Sequence, residues 1–290
     1  MRIGIIGTEN THGGHIIDHL NVHRLGGDAR VVALSGGENE QNAKLRAKGG
    51  IEHVVDGHLD LLGLVDAVIV TDRHGGLHRE HALPFLEQGL PVFVDKPLAC
   101  SIADAEAIIA AAREHDAPLT SSSAVRWVPD TDTLAAQSAK LGAPQVVVTT
   151  GPADPASPYA GIWFYGIHPV DVALRLVPGD VGEVRVERSA STIIASAQVG
   201  DTRVVVTFVA PGGEDGDVPF HAMVVGRHGV AASTLSLGTD YVAPGLEAFL
   251  AMVRTGKPPI DYDDLLRPIR FLEAVAGAPA LAAAGSATAA

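Results

Sequence analysis

The chain has one cysteine, Cys100, in 290 residues. A single thiol excludes an intrachain disulfide framework and any thiolate metal cage. Aromatic residues are scarce at 4%, while glycine (32) and proline (18) are plentiful, which predicts many tight turns. Positive charge is in deficit: 21 Lys and Arg stand against 34 Asp and Glu, a formal net charge of −13. So acidic a chain is a poor match for a phosphate backbone or an anionic membrane surface. No apolar run reaches the roughly 18–20 residues of a membrane helix. The N-terminus does not read as a signal peptide, because only a short apolar run separates Arg2 from Gly7-Thr8-Glu9-Asn10. The expectation is a soluble cytoplasmic protein that binds neither nucleic acid nor membrane. What is present is apolar content, 47% against 19% charged, enough for a real core. The length fits two domains, or one large one.

Strand and helix signals alternate through the first part of the chain. Apolar strand runs lie at 2–7, 30–34, 52–55, 66–70, 91–94 and 118–121. Helical stretches are expected at 12–24, 40–48, 77–88 and 101–115, with Ser101 as N-cap and Asp104 placed for a capping box. Continuous apolar strands of four to six residues imply strands covered on both faces, and alternation with helices makes the sheet parallel. After about residue 123 the pattern changes. A strand at 145–150 and a short helix at 167–177 precede strands at 183–189, 191–199, 203–210 and 221–226, with closing helices at 245–255 and 262–276. The reading is α/β: a Rossmann dinucleotide-binding domain over 1–122, then an α+β domain with an open, mainly antiparallel sheet over 123–281. The Ala-rich segment 282–290 is expected to fray.

Sites in such a sheet lie at the carboxyl ends of its strands. The turn after the first strand reads Gly7-Thr8-Glu9-Asn10-Thr11-His12. Only the first glycine of the G-x-G-x-x-G fingerprint is there. Glu9 stands where backbone should approach a pyrophosphate. Either its carboxylate points away and the cofactor is held, or it repels the pyrophosphate. The second strand ends in Ser35-Gly36-Gly37 with Glu38 just beyond and no adjacent arginine, so NAD and NADP both stay open. Val92-Phe93-Val94 runs into Asp95-Lys96-Pro97. A lysine beside a carboxylate at a strand's carboxyl end can hydrogen-bond a substrate hydroxyl or give it a proton. Thirteen histidines include His12, His15, His19 and His23, which would share one helix face. Imidazoles at that spacing can bind zinc, but nothing completes a tetrahedral set, so no metal site is assigned.

Several segments together resemble the glucose–fructose oxidoreductase / inositol dehydrogenase / rhizopine-catabolism (Gfo/Idh/MocA) family. They are Gly4-Ile5-Ile6-Gly7-Thr8, then Asp66-Ala67-Val68-Ile69-Val70 with His78 and Ala82, and Asp95-Lys96-Pro97-Leu98-Ala99. Arg126-Trp127-Val128-Pro129 and Gly166-Ile167-His168-Pro169-Val170-Asp171 complete the set. The resemblance implies a nicotinamide cofactor and hydride transfer at a sugar or cyclitol carbinol. It implies Lys96 and His168 as catalytic residues and Asp171 as an orienting group. Substrate contacts are expected from Asp171, Arg126, Trp163 and Tyr165, whose aromatic members suit either a sugar face or a plain core. Cofactor contacts are expected from Gly7, Thr8, Glu9, Asn10, Ser35, Thr71, Asp72, His74, His78, Asp95, Lys96 and Pro97. A homodimer or homotetramer is expected.

The sequence departs from the family pattern at two places. Phe164 occupies a position where the family often has an aspartate, and Asp72-Arg73-His74 replaces a Pro-Asn pair. The leading expectation is an NAD(P)-dependent oxidoreductase of a small hydroxy or keto compound. Alternatives are a redox-neutral lyase, epimerase or glycosidase with recycled NAD, or a ligand-binding regulator on the same fold.

Overall fold

The computed structural model describes residues 1–212 and 218–282. The chain divides into two compact units, one of Met1–Ser122 with Thr239–Leu265 and one of Ser123–Gly238 with the residues from Leu266 onward.

The first unit is built on six parallel strands: β1 (Arg2–Ile6), β2 (Arg30–Ser35), β3 (His53–Val55), β4 (Ala67–Val70), β5 (Val92–Asp95) and β6 (Leu119–Ser122). Their order is β3-β2-β1-β4-β5-β6. This is the doubly wound dinucleotide-binding order, with its reversal beside β1. Every residue of β4, β5 and β6 is buried, as a strand covered on both faces requires. Helices α1 (Thr11–Ile17), α2 (Asn39–Gly49), α3 (His78–Leu86) and α4 (Ile102–Glu114) connect the strands. The Ser101 hydroxyl caps α4 by accepting from Asp104 N at 3.1 Å, and it donates to Asp104 Oδ2 at 2.9 Å.

The single helix expected over 12–24 is instead two pieces. α1 stops at Ile17 and the chain widens into a π turn over Asp18–Val22. The reason lies in β2. Strand β3 pairs only with Ala33, Leu34 and Ser35, leaving Val31 beyond its reach. Asn21, in the π turn, substitutes for a neighbouring strand: its amide accepts from Val31 N at 2.9 Å and donates to Val31 O at 2.8 Å and Gly49 O at 2.9 Å.

The second unit contains α5 (Pro129–Ser138), β7 (Pro144–Pro152), α6 (Trp163–Arg175), β8 (Arg185–Arg188), β9 (Thr192–Val199), β10 (Thr202–Val209), β11 (Phe220–Gly226) and β12 (Gly229–Leu235). The strands form one sheet in the order β12-β11-β7-β10-β9-β8. Only β7 and β10 run parallel; the other neighbours are antiparallel. Burial alternates residue by residue along β9, β10 and β11, so one face carries the core. Sequence reading misses β12, whose Gly-Val-Ala-Ala-Ser-Thr-Leu run has little strand propensity. Its pairing is imposed by the tight hairpin that sets Gly226 opposite Gly229.

Three more helices follow: α7 (Ala243–Thr255), α8 (Tyr262–Ala276) and α9 (Pro279–Ala282). The domain limits 123–281 differ from the observed division at α7. Its residues Leu246, Phe249, Leu250 and Met252 share one core with Ile3, Ile5, Leu20 and Phe93 of the first unit. An amphipathic helix goes where its apolar stripe is buried, and the contact is remote in sequence. Apart from Ala282, which ends α9, the segment expected to fray lies outside the described residues. No helix among the described residues is long and apolar enough to cross a membrane.

Candidate active site

The first unit gathers its polar residues at the carboxyl ends of β1, β2, β4 and β5. Gly7 directly follows β1 with φ +84°, and a Cβ there would lie 2.4 Å from Asp72 N. Only glycine allows the β1 and β4 loops to approach this closely. Gly7 N donates to Ser35 O at 3.0 Å, and the buried Thr71 hydroxyl donates to Gly7 O at 2.7 Å. The side chains of the turn point back into protein. Thr8 Oγ1 lies 2.9 Å from Gly36 O and 2.5 Å from Asn42 Oδ1. Glu9 Oε1 accepts from Arg73 N at 2.9 Å. Asn10 caps α1 by accepting from His12 N at 3.1 Å, and its amide donates to Asp95 Oδ2 at 3.3 Å.

Asp95 and Lys96 are both buried at the end of β5. Burial opposes the Asp95 charge. His12, 2.9 Å away through Nδ1, together with Lys96 and His78, overrides that and holds the carboxyl well below the usual aspartate range. Burial lowers the Lys96 pKa, and the neighbouring Asp95 only partly restores it. A lysine depressed in this way exchanges a proton more readily than a solvated one. The loops on either side are stapled by buried His78, whose ring nitrogens lie 2.7 Å from Pro97 O and 3.0 Å from Asp72 O. The Asp72 carboxylate faces His81 Nδ1 at 2.8 Å, and this hydrogen bond raises the His81 pKa. His74 is exposed and serves locally, accepting from Gly76 N at 3.2 Å.

The second unit carries a separate polar group on α6. His168 and Asp171, three residues apart, lie on one helical face. The helix begins four residues earlier than the sequence suggests, at Trp163, after left-handed Ala160 and Gly161. Pro169 sits inside it, and Pro169 O accepts from Thr149 Oγ1 at 2.9 Å. Asp171 uses both carboxylate oxygens: Oδ2 accepts from Ser123 N at 2.8 Å and Oδ1 from Arg126 Nη1 at 2.7 Å. Ser123 Oγ lies 2.6 Å from His168 Nδ1. Tyr165, 42% exposed, sets its ring 5.6 Å from that of His168, while Trp163 is buried. Phe164 packs against Tyr159 and Tyr165, with centroids 4.9 and 5.0 Å away.

Comparison with known proteins follows this division. Residues 1–123 match the family model described as an oxidoreductase family with an NAD-binding Rossmann fold, GFO_IDH_MocA. This stretch carries the NAD-binding Rossmann domain of the Gfo/Idh/MocA family. The chain is 29% identical over 223 residues to inositol 2-dehydrogenase 1 of Saccharopolyspora erythraea, covering 73% of this chain and 65% of that one. The chain thus spans less than two thirds of the length of this curated relative. Two solved structures share the fold across nearly the whole chain. Myo-inositol dehydrogenase from Lactobacillus casei, in complex with NAD(H) and myo-inositol, is 19% identical with a TM-score of 0.79, covering 95% of this chain and 93% of that one. Myo-inositol 2-dehydrogenase from Lactobacillus plantarum is 16% identical with a TM-score of 0.80, covering 96% and 98%.

Set against the Gfo/Idh/MocA pattern, the site residues fall into two groups, each within its own unit. Gly7, Thr8, Glu9, Asn10, Ser35, Thr71, Asp72, His78, Asp95, Lys96 and Pro97 converge on the ends of the parallel strands. Arg126, Tyr165, His168 and Asp171 converge on α6. Three residues not assigned to the site from sequence take part. Asn42 receives the Thr8 hydroxyl, His12 pairs with Asp95, and Ser123 holds His168. Ser123 directly follows β6, and the carboxyl-end rule applied to that strand would have found it. His12 and His19 take different polar partners: His12 meets Asp95 at 2.9 Å, and His19 turns to Asp240 at 2.9 Å and Glu247 at 3.1 Å.

Proposed function

We propose that the protein is an NAD-dependent oxidoreductase acting on a sugar, cyclitol or related hydroxy/keto compound, with Lys96 and His168 handling the alcohol proton. The observation that carries this reading is Lys96. A buried lysine of lowered pKa, held at the carboxyl end of a Rossmann strand beside an ionised aspartate, has the character of a proton donor and acceptor. NAD, when bound, supplies the hydride acceptor. The glycine-cornered turn fits such a cofactor, because the Glu9 carboxylate is engaged by Arg73 N and the Thr8 and Asn10 side chains are bonded at the rear. The Asp95 charge beside Lys96 favours the protonated ammonium and works against the effect of burial. Asp171 acts through position: with both oxygens occupied by Ser123 and Arg126, it fixes the geometry around His168 and leaves the proton to the imidazole. Tyr165 offers an exposed ring face beside His168, suited to the C–H face of a cyclitol or sugar.

The test has two stages. Titration with NAD(H) and NADP(H) is expected to show micromolar binding of NAD(H), and no binding up to millimolar concentration overturns the reading. Turnover is then followed as nicotinamide reduction on a panel of cyclitols and sugars. Lys96→Ala should lower kcat/KM by about 10²–10⁴ while leaving the NAD titration intact. We place self-association as a dimer or tetramer on the outward face of the second sheet, where Ile194 is exposed and Val205 and Val225 are half-buried, and light scattering measures it.

A further inference from the structure

Ser123 is wholly buried, and each of its polar groups has an assigned place. Its N–H donates to Asp171 Oδ2 at 2.8 Å. Its hydroxyl accepts from Val125 N at 3.1 Å, capping the short 3₁₀ turn Ala124–Trp127, and lies 2.6 Å from His168 Nδ1. The cap fixes where Oγ sits, so the hydroxyl cannot swing away from the ring.

We infer that Ser123 is a positioning residue that lets His168 hold its proton on either ring nitrogen without moving. The inference rests on the reading of His168 as an acid/base. A hydroxyl has one hydrogen and two lone pairs. One lone pair takes the Val125 N–H. The other lone pair and the hydrogen can both be turned toward Nδ1. When the proton is on Nε2, Ser123 donates to bare Nδ1. When Nδ1 carries a proton, in the other tautomer or in the imidazolium, the same oxygen accepts. A carboxylate or a carbonyl in this place could only accept, and would bias the ring toward a protonated Nδ1. Asp171 is the carboxylate near enough in sequence to do that, and its two oxygens are held by Ser123 N and Arg126 Nη1. The arrangement therefore places a partner of either polarity against the ring and directs the acid elsewhere.

The experiment reads the ring directly. Protein labelled with ¹⁵N-histidine is compared as wild type, Ser123→Ala, Ser123→Cys and Ser123→Thr, with His168→Gln identifying the His168 signals among the thirteen histidines. The expected result is a change in the Nδ1-to-Nε2 tautomer ratio of His168 in the Ala and Cys variants, with the other histidine signals unmoved. Ser123→Thr, which keeps the hydroxyl, should restore the wild-type ratio. With NAD and myo-inositol as probes, kcat should fall roughly 10–100-fold in the Ala and Cys variants, with little change in KM. An unchanged His168 tautomer ratio in a folded Ala or Cys variant overturns the inference. Should Ser123→Ala not fold, the near-isosteric Cys variant decides. A chain that turns over nothing in the cyclitol and sugar panel defeats the oxidoreductase reading, while the ring signals still decide on Ser123.

Discussion

Gly7 shows how a single residue shapes the site. Its φ of +84° lies in the region that L side chains avoid, and the space a methyl group would need is filled by the backbone of Asp72. Gly7→Ala is therefore expected to destabilise the protein by at least about 1–3 kcal/mol. Chemical denaturation should show this, together with weakened NAD binding. Gly37 is constrained in the same way, since a Cβ there would fall 2.1 Å from Thr8 Oγ1. The first constraint was legible, because glycine at a strand's end is a known turn signal. The Gly37 contact was not, because it depends on a loop approaching from another strand. Lys96 was legible from its position after an apolar run. Its partner chain through Asp95 to His12 was not, since the two residues are 83 apart and meet only when β1 and β5 share a sheet.

At the scale of elements, α7 carries the clearest energetic consequence. Phe249 is fully buried, and its ring lies 5.7 Å from that of Phe93 in the core of the parallel-sheet unit. Phe249→Ala should cost about 3–5 kcal/mol, as large-to-small changes in a packed core do. Equilibrium denaturation followed by circular dichroism measures it, and a loss below about 1 kcal/mol would contradict the placement of α7. The π turn after α1 makes a subtler point about elements. Its sequence is compatible with ordinary helix, and the tertiary demand of Val31 for hydrogen-bond partners widens it. The helix α5 shows the opposite weakness: only Thr131, Leu134 and Ser138 are buried, too sparse a stripe for periodicity to reveal.

For the molecule as a whole, two part-buried pairs, His12–Asp95 and His81–Asp72, give stability that depends on pH in opposite senses. Asp95 has a folded pKa below its unfolded value of about 3.9. Its contribution is complete above that value and is lost as the pH falls through the folded pKa. His81 has a folded pKa above its unfolded value of about 6.5. Its contribution is complete below that value and is lost as the pH rises through the folded pKa. Tm measured against pH should show both. The wild-type advantage over Asp95→Asn should shrink below about pH 4. The advantage over His81→Gln should shrink above about pH 6.5. An advantage that stays constant across either window rules out the corresponding pair.

The sequence by itself determined the architecture. Fully apolar strands alternating with helices can bury themselves only as a parallel sheet covered on both faces, and the later period-two pattern can form only a sheet with one buried face. It also determined the lysine motif, because Lys96 directly follows an apolar strand, whereas the histidine motif was legible only through its resemblance to the family pattern. Tertiary structure decided what those residues touch. The destination of α7, the pairing of His12 with Asp95, the engagement of Glu9 by Arg73 N and the grip of Ser123 on His168 all join residues far apart in the chain. Local pattern carries information about which face of an element is buried. It carries none about which remote group will complete a hydrogen bond, since that is set only when the elements pack.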